Sequence, residues 1–214
     1  MTFGAVPSRT AVPRGATDET LMRAVRDGDV SQLGHLFERY HTRLFEFLSR
    51  MTGNRVAAED LVQDVFVRIL KYRGTYRDDG RFETWLFRIA RNARADYFRR
   101  AAPLDPLPDS MVDQPADGPG PAAQLEMGRD VARLRKALLQ LRDDRRELIV
   151  LARYQDLRHE QIAELLDIEV GAVKVRLHRA IAELRDVFRQ MGDGDSICAA
   201  QTPALFSSKT PPAH

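Results

Sequence analysis

The chain has 214 residues, 43% hydrophobic and 30% charged, with a formal net charge of +2. No apolar run approaches the roughly 20 residues that span a bilayer, and the first fifteen residues, MTFGAVPSRTAVPRG, lack the apolar stretch of a secretory signal. Its one cysteine, Cys198, excludes an internal disulfide and a cysteine-rich zinc site, which fits a reducing compartment and points to the cytoplasm.

Residues 1–17 are rich in Pro, Gly, Ser and Thr and are expected to be disordered. Thr17-Asp18-Glu19 can cap a helix beginning near Thr20. From there to Arg100 apolar residues recur at helical spacing: Leu33, Leu36, Phe37 and Tyr40, then Leu44, Phe47, Leu48 and Met51. Thr52-Gly53-Asn54 breaks the pattern. Leu61, Val62, Val65, Phe66, Ile69 and Leu70 resume it, Gly74 and Asp78-Asp79-Gly80 mark a loop, and Phe82, Trp85, Leu86, Ile89 and Ala93 share the next apolar face. This predicts a helical domain over 18–100. Ala101 to Pro121 holds six prolines and four aspartates with no basic residue, so 101–124 reads as an extended acidic linker.

A second helical domain is predicted over 125–190. Val131, Leu134, Leu138 and Leu141 line one helix, and Leu148, Leu151 and Ala152 another. Ile162, Ala163, Leu165 and Leu166 give a third helix its stripe, Asp167-Ile168-Glu169-Val170-Gly171 interrupts it, and Val173, Leu177, Ile181, Leu184 and Phe188 stripe a fourth. The last helix should end near Met191, leaving 191–214 as a flexible tail. The expected fold class is all-α, two small helical domains joined by a linker.

Three clusters carry candidate chemistry. In the fourth helix of the second domain, Ala172, Val175, Arg176 and Arg179 lie opposite the apolar stripe, flanked by Lys174 and His178; small and cationic side chains there suit a helix that enters a major groove. An ordinary helical hairpin with a solvated basic face gives the same pattern. In the first domain Asp60, Gln63 and Asp64 share one surface at i, i+3 and i+4. They suit a basic partner, a solvated face, or less readily a metal or an acid–base pair, which no neighbouring His supports. In Gly80 to Arg100, Arg88, Asn92, Ala95 and Arg99 form one edge, and Phe82, Trp85, Phe87, Tyr97 and Phe98 interleave with arginines as an unstacked strand requires; Phe82 and Trp85 read more readily as core. Arg68 to Arg100 holds ten Arg or Lys against four Asp or Glu, positive charge concentrated where phosphate would be met. The five histidines have no metal spacing, so no metal or cofactor is expected, and no catalytic motif marks an enzyme.

Taken together these segments resemble bacterial sigma factors of the extracytoplasmic-function group, over residues 18 to 190. AEDLVQDVF resembles the region-two helix that docks on the polymerase clamp, and FETWLFRIARN the part that opens and reads the minus-ten element. LRDDRRELIVLARYQDLRHEQIAELLDIEVGAVKVRLHRAIAELR resembles region four, which reads the minus-thirty-five element. The chain departs from the family where Leu141-Arg142 replaces Leu-Pro, Asp167 replaces a glycine, and Gly171-Ala172-Val173-Lys174-Val175 lacks two hydroxyls of Gly-Thr-Val-Lys-Ser.

The resemblance implies a non-catalytic protein that binds core RNA polymerase at the beta-prime clamp and beta flap, directs it to promoter DNA and helps open it, in a stress or envelope response. Asp60, Gln63 and Asp64 would meet the polymerase. Arg81, Arg88, Asn92 and Arg99 would meet the minus-ten strand, and Ala172, Lys174, Val175, Arg176 and Arg179 the minus-thirty-five duplex. The acidic linker would occupy the channel later taken by RNA, and an anti-sigma factor would be a further partner, with no membrane insertion by this chain. Two other readings are a stand-alone helix-turn-helix regulator of duplex operators and a DNA enzyme such as a recombinase, which would need a nucleophile with clustered arginines.

Overall fold

The computed structural model describes residues 15–78, 81–101 and 121–199, and among these every regular element is helical. Four helices make a first unit: α1 (Asp18–Arg26), α2 (Leu33–Thr52), α3 (Arg55–Tyr72) and α4 (Phe82–Ala101). Four make a second: α5 (Pro121–Gln140), α6 (Asp143–Arg153), α7 (His159–Leu166) and α8 (Val170–Ala199). The all-α, two-unit architecture is as expected. The N-terminal segment to residue 14, most of the linker and the chain after Ala199 lie outside the described residues.

Local chemistry sets the ends of these helices. The Thr17 hydroxyl accepts a hydrogen bond from the Thr20 N–H at 3.3 Å, so α1 starts two residues before the expected Thr20. At the α2–α3 break, Gly53 takes the left-handed conformation at φ 71°. Asn54 then caps α3, its Oδ1 accepting from the Ala57 N–H at 3.1 Å. α2 buries Leu36, Tyr40, Leu44, Phe47, Leu48 and Met51, the 3–4 spacing of a core stripe. α1 is tied to it by the Tyr40 hydroxyl, which donates to Asp18 at 2.5 Å; burial, then Asp18, raises the phenol's pKa. Tyr76, buried behind α4, has its hydroxyl pushed up to about 12 by burial and by Glu19 and Asp78.

Three expectations are corrected. α5 begins at Pro121, so residues 121–124, expected in the extended linker, are helical; proline is tolerated in a helix's first turn, where its missing N–H has no partner to lose. α8 does not stop near Met191 but runs to Ala199. No proline interrupts its hydrogen-bond ladder before Pro203, and a glycine in a helix costs only about 1 kcal/mol relative to alanine. Phe87 does not face solvent with the arginines: it is fully buried, edge-on to Phe47 at 5.3 Å. Phe82 is fully buried, and Trp85 is half-buried and packed against the core.

The reason for Phe87 is the largest difference from expectation. The two units are not separate bodies on a tether. One apolar cluster includes Phe47 and Phe87 from the first and Val150, Leu151 and Ile162 from the second. α4 packs on α7, and α2 on α5 and α6. Arg50 lies over the Tyr154 ring at 4.1 Å, and Arg146 donates to the Met51 carbonyl at 2.9 Å.

Candidate nucleic-acid interface

The helix-turn-helix is built as its residues require. α7 ends at Asp167, which adopts φ 55°, ψ 52°. A short polar side chain tolerates this left-handed geometry, so aspartate closes a turn that glycine would close more cheaply. The Ile168 N–H returns to the Ala163 carbonyl at 3.0 Å. Val173, Leu177 and Ala180 of α8 are buried, and Ile181 and Leu184 pack behind them. Lys174, Val175, Arg176, His178 and Arg179 are exposed and Ala172 half-exposed. Val175 is 51% exposed, a branched apolar side chain held in water beside cations. Such a face offers a methyl surface for a thymine and guanidiniums for guanine or phosphate.

α4 carries the second cationic edge. Ile89 and Ala93 are buried, while Arg88, Asn92, Ala95 and Arg99 are exposed in the expected row, with Arg81 exposed just before the helix. Not all of that row is free. Arg88 donates to the Glu164 carbonyl of α7 at 3.4 Å, and Arg99 pairs with Asp96 on its own helix. Asn92 has its side chain in solvent. Tyr97 is half-buried, and Phe98, 40% exposed, lies under the Arg94 guanidinium at 5.4 Å.

The acidic patch of α3 is assembled as expected, with a difference in charge. Asp60 and Gln63 are exposed. Asp64 accepts from Arg68 Nε at 3.0 Å, and the same guanidinium reaches Asp96 of α4 at 2.6 Å. Burial draws the Arg68 pKa down, but its hydrogen bonds to Asp64 and Asp96 outweigh this and raise it. The hydrogen bond from Arg68 holds the Asp96 carboxyl below its usual range. Arg68 thus ties α3 to α4 and leaves Asp60 the carboxylate open to a partner. Among the described residues no group of three or more His, Cys, Asp or Glu could hold a metal ion.

Two arginines that sequence reasoning passed over reach across to the second unit. Arg91 grips Glu147 of α6 with Nε at 2.7 Å and Nη2 at 3.2 Å, and gives Nη1 to the Leu165 carbonyl at 2.9 Å. Arg94 pairs with Asp143 at the start of α6. With Arg88 they recur every three residues, a ridge along one side of α4. That spacing was the signal available in the sequence; their partners, 49 to 76 residues away, were not.

Comparison with known proteins identifies both helical units. The family model described as Sigma-70 region 2 matches residues 36–103, and Sigma-70, region 4 matches residues 132–184. The chain is 34% identical over 171 residues to the RNA polymerase sigma factor CarQ of Myxococcus xanthus, covering 79% of this chain and 97% of CarQ. It is 31% identical over 182 residues to the ECF RNA polymerase sigma factor SigW of Bacillus subtilis, covering 79% and 96%. Among solved structures, CnrH in complex with the cytosolic domain of CnrY superposes with TM-score 0.57 at 27% identity, covering 86% of this chain and 99% of that one.

Proposed function

The chain belongs to the sigma-70 family, in its extracytoplasmic-function group, and we propose which of its surfaces perform each step of promoter recognition. As a sigma factor it directs RNA polymerase to promoters for transcription initiation. Asp60 and Gln63, with Asp64 beside them, dock α3 on a basic surface of core polymerase, the beta-prime clamp, and the second unit meets the beta flap. Lys174, Arg176 and Arg179 seat α8 in the major groove of the minus-thirty-five element, with Ala172 close to the bases and Val175 against a thymine methyl. Arg81, Arg88, Asn92 and Arg99 hold the displaced minus-ten strand. Unpairing exposes base edges, and the Asn92 amide presents a donor and an acceptor on one fork to read them.

The observation that carries this reading is the turn at Asp167. It orients α8 with Val173 and Leu177 inward and a continuous cationic face outward. The chemistry belongs to the polymerase: this chain supplies contacts and no catalytic step. Its place of action is the cytoplasm, where no membrane insertion is needed; no helix among the described residues is long and apolar enough to cross a membrane. An anti-sigma partner holds it in reserve, a reading in keeping with the solved complex of its structural neighbour CnrH with a protein partner, the cytosolic domain of CnrY.

Run-off transcription tests the whole. The purified chain, core polymerase and genomic promoter fragments should give discrete transcripts that core polymerase alone does not. Duplex binding without any transcript would leave a stand-alone regulator instead.

A further inference from the structure

The seam between the two units opens into a cleft of about 320 Å³. Four guanidiniums line it: Arg91 of α4, Arg145 of α6, and Arg176 and Arg179 of α8. Asp144 and Glu147 are the carboxylates of the lining, so four positive charges face two negative ones. A cleft lined by one sign of charge raises the local concentration of the opposite sign.

The four arginines are not equivalent. Arg91 is fixed by Glu147 and the Leu165 carbonyl, and Arg145 by Glu183. Side chains already held in place lose little freedom when a ligand arrives. Arg176 and Arg179 sit one turn apart, both exposed, and neither side chain makes an ion pair or hydrogen bond among the described residues. Like charges at that spacing repel, and neither carboxylate of the cleft relieves them. Glu147 is held by Arg91 at 2.7 Å, and Asp144 lies 3.5 Å from Arg142. Two uncompensated guanidiniums beside two anchored ones ask for a ligand with more than one anionic oxygen, because guanidiniums bind phosphate oxygens in pairs.

The rest of the lining is apolar. Leu148 is buried, and Leu166 and Ile168 are half-buried and packed against the core. Cations beside aliphatic side chains select a molecule that is charged at one end and apolar at the other. Free phosphate would leave the aliphatic wall unused, and an uncharged ring would leave the guanidiniums unpaired. The volume lies at the lower end of the roughly 300–1,000 Å³ of small-ligand pockets. It admits one small molecule, not a duplex whose major groove alone is about 12 Å wide.

We propose that this cleft binds a nucleoside diphosphate. The base lies against Leu148, Leu166 and Ile168, where a guanidinium plane can also stack on it, and the phosphates bridge Arg176 and Arg179 with Arg145 beside them. Bound there, the ligand occupies two of the cations assigned to the minus-thirty-five duplex, so ligand and duplex compete. The competition rests on the promoter-reading function above; the site does not.

The test is a calorimetric titration of the full chain, without magnesium and at about 50 mM NaCl, where screening is weak. ADP should bind at least about tenfold more tightly than adenosine or pyrophosphate, each of which fills half of the site. Arg145→Gln should weaken ADP about tenfold with unchanged circular dichroism, and Arg179→Ala should do the same. Arg145→Lys should lose less, since it keeps the charge but not the fork. Arg73→Gln, an exposed cation outside the cleft, should change nothing. Absence of ADP binding would overturn the proposal, as would pyrophosphate or adenosine binding as tightly as ADP, or ADP binding indifferent to both Arg145→Gln and Arg179→Ala. Anisotropy of a labelled minus-thirty-five duplex then tests the competition. ADP should displace the duplex from the parent, and about tenfold more should be needed with Arg145→Gln, whose duplex affinity without ADP is unchanged. Duplex binding that saturating ADP does not weaken would overturn the shared use of Arg176 and Arg179. A parent that binds ADP but no duplex would remove the promoter reading of α8 and leave the site standing.

Discussion

At Gly53 one residue carries the bend between α2 and α3 and touches the other unit. Its φ of 71° is costly for any residue with a side chain, and a Cβ there would stand 3.0 Å from Leu139 Cδ1. Leu139 is exposed and its end can move, so the backbone term dominates. Gly53→Ala should destabilise by about 1–2 kcal/mol, read as a lower urea midpoint at unchanged slope. A variant at least as stable as the parent would show that the turn relaxes freely. Asp96 makes a second claim at this scale. Its carboxyl is held below the usual range, chiefly by Arg68. A depressed folded pKa gives stability that is fully present above the unfolded value, near 4, and is lost as pH falls through the folded value. Asp96→Asn should therefore flatten the loss of stability on acidification below about pH 4. Equal acid sensitivity in the two proteins, measured by urea midpoints, would remove this pair from the acid response. Arg176→Ala should cost about 1–3 kcal/mol and relax preference at one promoter position if the guanidinium reads a guanine. A uniform loss across promoter variants would make it a phosphate contact.

At the scale of the helix, α3 and α4 can be tested apart from each other. On α3, Asp60→Lys is cleaner than a change at Asp64, because Asp64 also anchors Arg68. Opposing a basic partner with a lysine typically costs several kcal/mol, so capture of core polymerase should be lost with helicity intact. Undiminished capture would move the docking site elsewhere. On α4, Asn92→Ala should reduce open-complex formation while duplex binding at the minus-thirty-five element persists. If Asn92 reads the open strand, the defect should remain on a template already unpaired at minus ten. Normal permanganate reactivity of promoter thymines with this variant would sink the assignment. α4 also shows what helix-level reasoning can and cannot supply. Periodicity placed Ile89 and Ala93 inward and Asn92 outward, because those positions follow from 3.6 residues per turn alone. It put Phe87 among the exposed aromatics, because the surface that covers Phe87 comes from another part of the chain.

Across the whole molecule, the continuous cluster through Phe47, Phe87, Leu151 and Ile162 makes a thermodynamic claim. Trp85, the sole tryptophan, sits in the first unit and reports that unit alone. Its fluorescence and far-ultraviolet circular dichroism should therefore trace coincident urea transitions at low salt. Two separated transitions would mean that the units fold independently and meet only weakly. The helices, the breaks at Gly53 and Asp167 and the cationic face of α8 were legible in the sequence. Each depends on neighbours within about four residues, through turn hydrogen bonds, caps and the side of a helix that must be dry. The seam was not legible. Arg91 and Glu147 are 56 positions apart, and nothing in either neighbourhood distinguishes a cation awaiting DNA from one already paired. The sequence by itself determined the elements and the chemistry they carry outward; the tertiary packing decided which of those charges are spent on the protein itself, because pairing across a fold depends on distances that local periodicity does not encode.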